Sequence, residues 1–237
     1  MPNTFFSFKS FTVHQDRCAM KVTTDGALFG AWVASRTQLA EQLLDVGAGT
    51  GILSLMIAQS GSGTIDAIEV ESTCHQQLCE NIVSSEWSDR IHPIHADFNS
   101  FEPQKKYDCV VSNPPFHRDQ LSSTNPSTNL ARHDTGLTIQ ELLKKSSTLV
   151  TPTGRLFVLI PYYRTEEIIA CARQLNWQLA SSVFVQQTPK HAYFRTFLEF
   201  EMQKTTEVLS SSMLIKDEKD AYSPEFIALL RPYYLAF

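Results

Sequence analysis

No apolar run in this chain approaches the roughly 18 residues that span a bilayer, which excludes a transmembrane helix. The first residues, Met1-Pro2-Asn3-Thr4-Phe5-Phe6-Ser7-Phe8-Lys9, lack a basic region followed by a continuous apolar stretch. No signal peptide is therefore indicated, and a soluble cytoplasmic protein is expected. The five cysteines (Cys18, Cys74, Cys79, Cys109, Cys171) are odd in number and form no C-x-x-C pair, so reduced, mostly buried thiols are expected. Cys74-His75 with Cys79 do not share one helical face and have no matching pair elsewhere, and His92 and His95 lie in a strand-like run, so no metal is expected. There is no excess of positive charge either: the net charge of −5 excludes a protein that coats nucleic acid by charge alone. A local basic patch remains compatible with that sum. Internal repeats and low-complexity blocks are absent, and nothing in the sequence specifies an oligomeric state.

What is present is an ordinary globular composition, 43% hydrophobic and 19% charged over 237 residues, enough for one sizeable core. From residue 43 onward, short apolar runs alternate with helical periods. Strands are predicted over 43–47, 64–70, 91–97, 107–112, 155–160, 178–185 and 194–202. Helices are predicted over 51–59, 72–86, 138–149 and 164–175. Such alternation implies βαβ units and a mostly parallel sheet with helices on both faces. The connection 186–193 is too short for a helix, so the seventh and last strand is expected to run antiparallel. Residues 1–40 form an N-terminal segment rich in phenylalanine, expected to pack on the catalytic domain (41–204) and to act as a lid for substrate or cofactor, with an amphipathic helix over 26–40. Residues 205–237 form a tail in which Ser223 caps a short helix starting at Pro224. Residues 117–136 are polar, without apolar period, and read as a long loop.

Two stretches carry chemistry. Asp45-Val46-Gly47-Ala48-Gly49-Thr50-Gly51 follows a strand and opens a helix. A dinucleotide site needs G-x-G-x-x-G at that place, and the third glycine would fall on Ile52, so that pattern fails. The acid at the strand end would repel a phosphate. The next two strands end in Glu69 and Asp97, which sets three acids along one sheet edge, at the crevice where open α/β folds bind ligands. The second stretch, Asn113-Pro114-Pro115-Phe116, ends a β-branched run. Two prolines terminate the strand and force extended geometry before them. Asn113 Oδ1, the Pro114 carbonyl and the Phe116 ring then converge on one edge, an arrangement suited to a planar amine. Taken alone, the tetrapeptide equally describes a proline-rich loop.

Together the glycine loop, the acids and their spacings resemble the class I S-adenosylmethionine-dependent methyltransferases from about residue 43 to 202. The resemblance implies an α/β Rossmann-like fold and S-adenosylmethionine as cofactor. It assigns Asp45, Gly47, Gly49, Gly51, Glu69, Asp97 and Asn113 to the cofactor, with Glu69 on the ribose hydroxyls and Asp97 at the adenine amine. In that superfamily Asn-Pro-Pro-aromatic marks methylation of a planar nitrogen, with Asn113, Pro114, Pro115 and Phe116 as the catalytic corner. Two further stretches, Phe8-Lys9-x-Phe11 with Met20-Lys21-Val22-x-Thr24-Asp25-Gly26, and Tyr222-Ser223-Pro224-Glu225-Phe226, are similar to the bacterial family that methylates N6 of adenine 37 in valine tRNA. By that resemblance Lys21 and Asp25 border the cofactor or base pocket, and the partner is tRNA. The alternatives are guanine-N2 of ribosomal RNA, a protein glutamine, or a silent RNA-binding relative. Candidate RNA contacts are Lys9, Arg17, Lys21, Arg118, Arg132, His133 and the 190–195 segment, where bases alternate with aromatics. Lys105-Lys106 and Lys144-Lys145 read as solvated faces.

Overall fold

The computed structural model describes residues 3–114, 137–203 and 207–237. After a small hairpin (β1, Phe5–Ser7; β2, Thr12–His14) comes helix α1 (Thr24–Arg36). The βα alternation follows: β3 (Gln42–Val46), α2 (Ile52–Ser60), β4 (Thr64–Glu69), α3 (Ser72–Val83), β5 (Ile91–His95) and β6 (Tyr107–Ser112). Then come α4 (Ile139–Leu149), β7 (Val150–Pro161), α5 (Thr165–Gln174), β8 (Gln178–Gln186) and β9 (Tyr193–Glu201). The tail adds β10 (Leu209–Leu214) and α6 (Pro224–Leu230).

Strands β3 to β10 form one sheet in the order β10-β8-β9-β7-β6-β3-β4-β5, apart from the β1-β2 hairpin. β3 to β7 pair in parallel, and β9 runs antiparallel to both β7 and β8. The seven expected strands are all there. The eighth, β10, lies in the tail and pairs in parallel with β8 through Leu209↔Ser181 to Leu214↔Gln186. The central strands are buried on both faces, which their Val, Ile and Leu runs require. One core, with Phe29, Trp32, Leu55, Leu78, Phe197 and Phe226, lies under α1, α2, α3 and α6. The other, with Leu142, Ile168, Trp177 and Phe200, lies under α4 and α5.

Three local expectations are corrected. Helix α1 is not amphipathic: Gly26 to Ala34 are all buried, because the helix is enclosed by its neighbours as well as by the sheet. Lys145 is no solvated charge, since its largely covered ammonium donates to the Asn99 carbonyl at 2.7 Å and meets Glu102 at 3.0 Å, whereas Lys105, exposed as expected, pairs with the buried Asp66 carboxylate at 2.9 Å. Tyr107, fully buried, donates to the same Asp66 at 2.7 Å. Cys18 and Cys74 are not thiols; they form a disulfide that clips the N-terminal arm to the first turn of α3. The Ser223 cap is as expected, its side chain accepting from the Phe226 amide at 3.1 Å ahead of Pro224. Among the described residues no helix is long and apolar enough to cross a membrane.

Candidate active site

Parallel register brings the C-terminal ends of β3, β4, β5 and β6 to one edge. Ser112 Oγ donates to the Val46 carbonyl at 2.8 Å, which locks the end of β6 beside the end of β3. Past Val46 the chain turns through Gly47 (φ 71°), Gly49 (φ 59°) and Gly51 (φ 84°) before α2 begins. Left-handed backbone at three alternate positions is what only glycine adopts without strain. A Cβ added at Gly47 would meet nothing within 4 Å, so the bare backbone there faces open space. Ala48 N donates to the Ile68 carbonyl and Gly49 N to Glu69 Oε2 at 2.9 Å, which fastens the turn to the end of β4.

The three acids differ in environment. Asp45 is fully buried beneath the turn; Oδ2 accepts from Ser54 Oγ at 2.7 Å and Oδ1 has no partner. Burial raises its pKa to about 7, against the opposing pull of the Ser54 hydrogen bond. Glu69 is buried, with Oε2 on Gly49 N and Oε1 on Glu71 N, and each oxygen keeps a further lone pair. Asp97 is exposed and accepts from Asn99 N with Oδ1, capping a short 3-10 turn.

Asn113 closes the far side. Its Nδ2 lies 3.8 Å from Met20 Sδ and 3.6 Å from where a Gly26 Cβ would stand, which leaves Oδ1 to accept. A small cavity collects Lys21, Gly47, Gly49 and Asn113 of the expected residues, together with Met20, Val22, Thr23, Gly26, Thr50 and Leu53. The arm that roofs it is fixed to the Gln15 side chain through Val22 N at 2.7 Å, and to α3 through Arg17 N on Gln77 Oε1 at 2.8 Å and the Cys18–Cys74 bond. Lys21 turns its ammonium to the Gln15 carbonyl. Asp25 does not line the cavity; it faces Arg195 at 2.7 Å. Pro114 is buried, and Pro115, Phe116 and the 117–136 loop, with Arg118, Arg132 and His133, lie outside the described residues.

Sequence reasoning missed Met20, Thr23 and Gly26. The signal for the last two was present, since Thr23 is the N-cap of α1 and accepts from Gly26 N at 3.2 Å. Two of the expected RNA contacts also have partners within the chain. Lys9 Nζ donates to the Arg231 and Phe237 carbonyls at 2.6 and 2.5 Å, and Arg17 pairs with Glu80 at 2.8 Å.

The residues present suit an amino-acid nucleoside with a cationic centre. An orphaned buried carboxylate oxygen, an unshielded glycine backbone and acids closing β4 and β5 form one continuous edge. That edge and sheet define the class I methyltransferase architecture. The same fold recurs in a predicted O-methyltransferase from Agrobacterium tumefaciens (TM-score 0.64, 14% identity, 87% of this chain and 95% of that one). It recurs again in aTrm5 solved with tRNALeu (TM-score 0.61, 14% identity, 86% of this chain and 54% of that one). The methyltransferase small domain model matches residues 33–170. The chain belongs to the tRNA1(Val) (adenine(37)-N6)-methyltransferase family: it is 36% identical to the member from Parabacteroides distasonis and 37% identical to one from Bacteroides fragilis, each alignment covering 99% of both chains.

Proposed function

We propose that this chain transfers a methyl group from S-adenosylmethionine to the N6 amine of adenine 37 in tRNA1(Val), the reaction for which its relatives are named. The observation that carries this reading is the position of Asn113: its amide shares a cavity with the glycine turn, and its nitrogen is engaged by Met20. An exocyclic amine is a poor nucleophile because its lone pair is delocalised into the ring. Asn113 Oδ1 and the Pro114 carbonyl accept the two N–H groups, which favours a pyramidal nitrogen with its lone pair directed at the cofactor. When bound, S-adenosylmethionine supplies a methyl group already activated by a sulfonium. Positioning therefore provides much of the rate, and the corner needs no strong base at the outset. Asp45, Glu69 and Asp97 would hold the cofactor's ammonium side, ribose and adenine in turn along the sheet edge. Phe116 stacks on the target base, which must leave its own stack to reach the corner.

The arm Met20–Thr23 acts as the roof of this site. With tRNA as substrate, the enzyme works in the bacterial cytoplasm.

Labelled S-adenosylmethionine, incubated with the protein and either total tRNA or ribosomal RNA and followed by digestion to nucleosides, tests the reading. Label in N6-methyladenosine from tRNA is the expected result. Label confined to N2-methylguanosine from ribosomal RNA would overturn it.

A further inference from the structure

One group of aromatic rings belongs to neither core. Tyr162, Phe184 and Tyr193 pack on one another with ring centroids 5.2–5.7 Å apart. All three stay partly open to solvent, and Tyr162 is 40% exposed. Tyrosine and phenylalanine bury large apolar areas, so an exposed ring cluster calls for a partner.

The position of the cluster says which partner. β6 and β7 are parallel neighbours through Ser112↔Val158, so Asn113 stands level with Leu159. Tyr162 follows the end of β7, three residues beyond that level. At about 3.3 Å per residue and about 4.8 Å between strands, its backbone lies on the order of 10 Å from Asn113. Tyr193 opens β9, two residues before Arg195, whose guanidinium is anchored to Asp25 beside Gly26 and Asn113. The rings thus occupy the catalytic edge of the sheet, on the side away from the glycine turn. Lys190, exposed, sits in the turn leading to Tyr193 and gives the platform a positive margin. Flat rings open at one side, with a cation at the border, suit an unpaired base and its phosphate.

We propose that Tyr162, Phe184 and Tyr193 form a stacking platform for the unpaired base next to the methylated adenine in the RNA loop, with Lys190 at its phosphate. This rests on the reading that the substrate is tRNA. The platform fixes the register of the loop, so that the target base alone reaches Asn113. Each stacked base contributes an amount that corresponds to a five- to hundredfold change in affinity on removal of the ring, roughly.

The test measures equilibrium binding, by fluorescence anisotropy, of an anticodon stem-loop RNA to the intact protein. Tyr162→Ala with Tyr193→Ala should weaken binding about tenfold, whereas Tyr162→Phe with Tyr193→Phe should stay within about twofold, since a phenyl ring stacks as well. An abasic site beside the target adenine should weaken binding to wild type by a similar factor and leave the double alanine variant unaffected. Equal affinity of the alanine and wild-type proteins, an equal abasic penalty in both, or no RNA binding at all would overturn the platform. Methyl transfer by wild type to the same RNA is followed separately. Ring-dependent binding without N6-methyladenosine would remove the proposed reaction and leave the platform standing.

Discussion

Arg195 Nε donates to Asp25 Oδ2 at 2.7 Å, joining β9 to the first turn of α1 across the mouth of the site. Asp25 is well placed there, since an acid in a first turn also meets the positive end of the helix. The next residue, Gly26, abuts the amide of Asn113. The pair therefore sets the start of α1 against the catalytic corner.

Asp25→Asn and Arg195→Gln should each lower unfolding free energy by about 1–2 kcal/mol, because the contact is partly shielded from solvent. In urea titrations the double variant should fall short of the sum of the singles by about 1 kcal/mol. Strict additivity would show that the pair contributes nothing.

Asp45 makes the stability of the cofactor-free protein depend on pH. Its pKa is raised by burial to about 7 from an ordinary value of 3.8, so between these limits the folded state holds a proton that the unfolded chain releases. The stability due to this group is thus complete below 3.8 and is lost as pH rises through about 7. The melting temperature contributed by Asp45 should drop by roughly 5 °C or more between pH 5 and pH 8. Asp45→Asn should flatten that slope while weakening cofactor binding. An unchanged slope in the variant would contradict the buried acid.

The Cys18–Cys74 bond closes a loop with a sequence separation of 56 residues, for which chain entropy gives about 4 kcal/mol of stabilisation as an upper figure. Thiol titration of the native protein should find Cys79, Cys109 and Cys171 free, and Cys18 and Cys74 only after reduction. Cys109 should react slowest of the three, since burial raises its thiol pKa to about 11. A reductant should lower the melting temperature of wild type and leave that of Cys18→Ser with Cys74→Ser unchanged. Five reactive thiols without reduction would refute the bond.

The edge of the sheet was legible in the chain because its signals are local. Glycines at alternate positions permit the left-handed turn, the proline after Asn113 restricts it to extended geometry, and the acids recur at the same place in successive strand–helix units. Ser223-Pro224 marked its helix for the same reason. What stayed hidden depends on distant segments. Leu209–Leu214 holds three serines and has little strand propensity; the β8 edge makes it a strand. Cys18 meets Cys74 only once the arm lies along α3. The burial of α1 reflects what encloses it rather than its own period. Met20 opens one of the stretches that resemble the family, yet its place over Asn113 comes from the anchored arm.

The most direct test of the catalytic corner is Asn113→Ala, assayed for methyl transfer to tRNA and, by calorimetry, for S-adenosylmethionine affinity. The account predicts turnover reduced by at least about a hundredfold, as for loss of a preorganised polar contact, with cofactor affinity within a few fold of wild type. Turnover near the wild-type rate would contradict it.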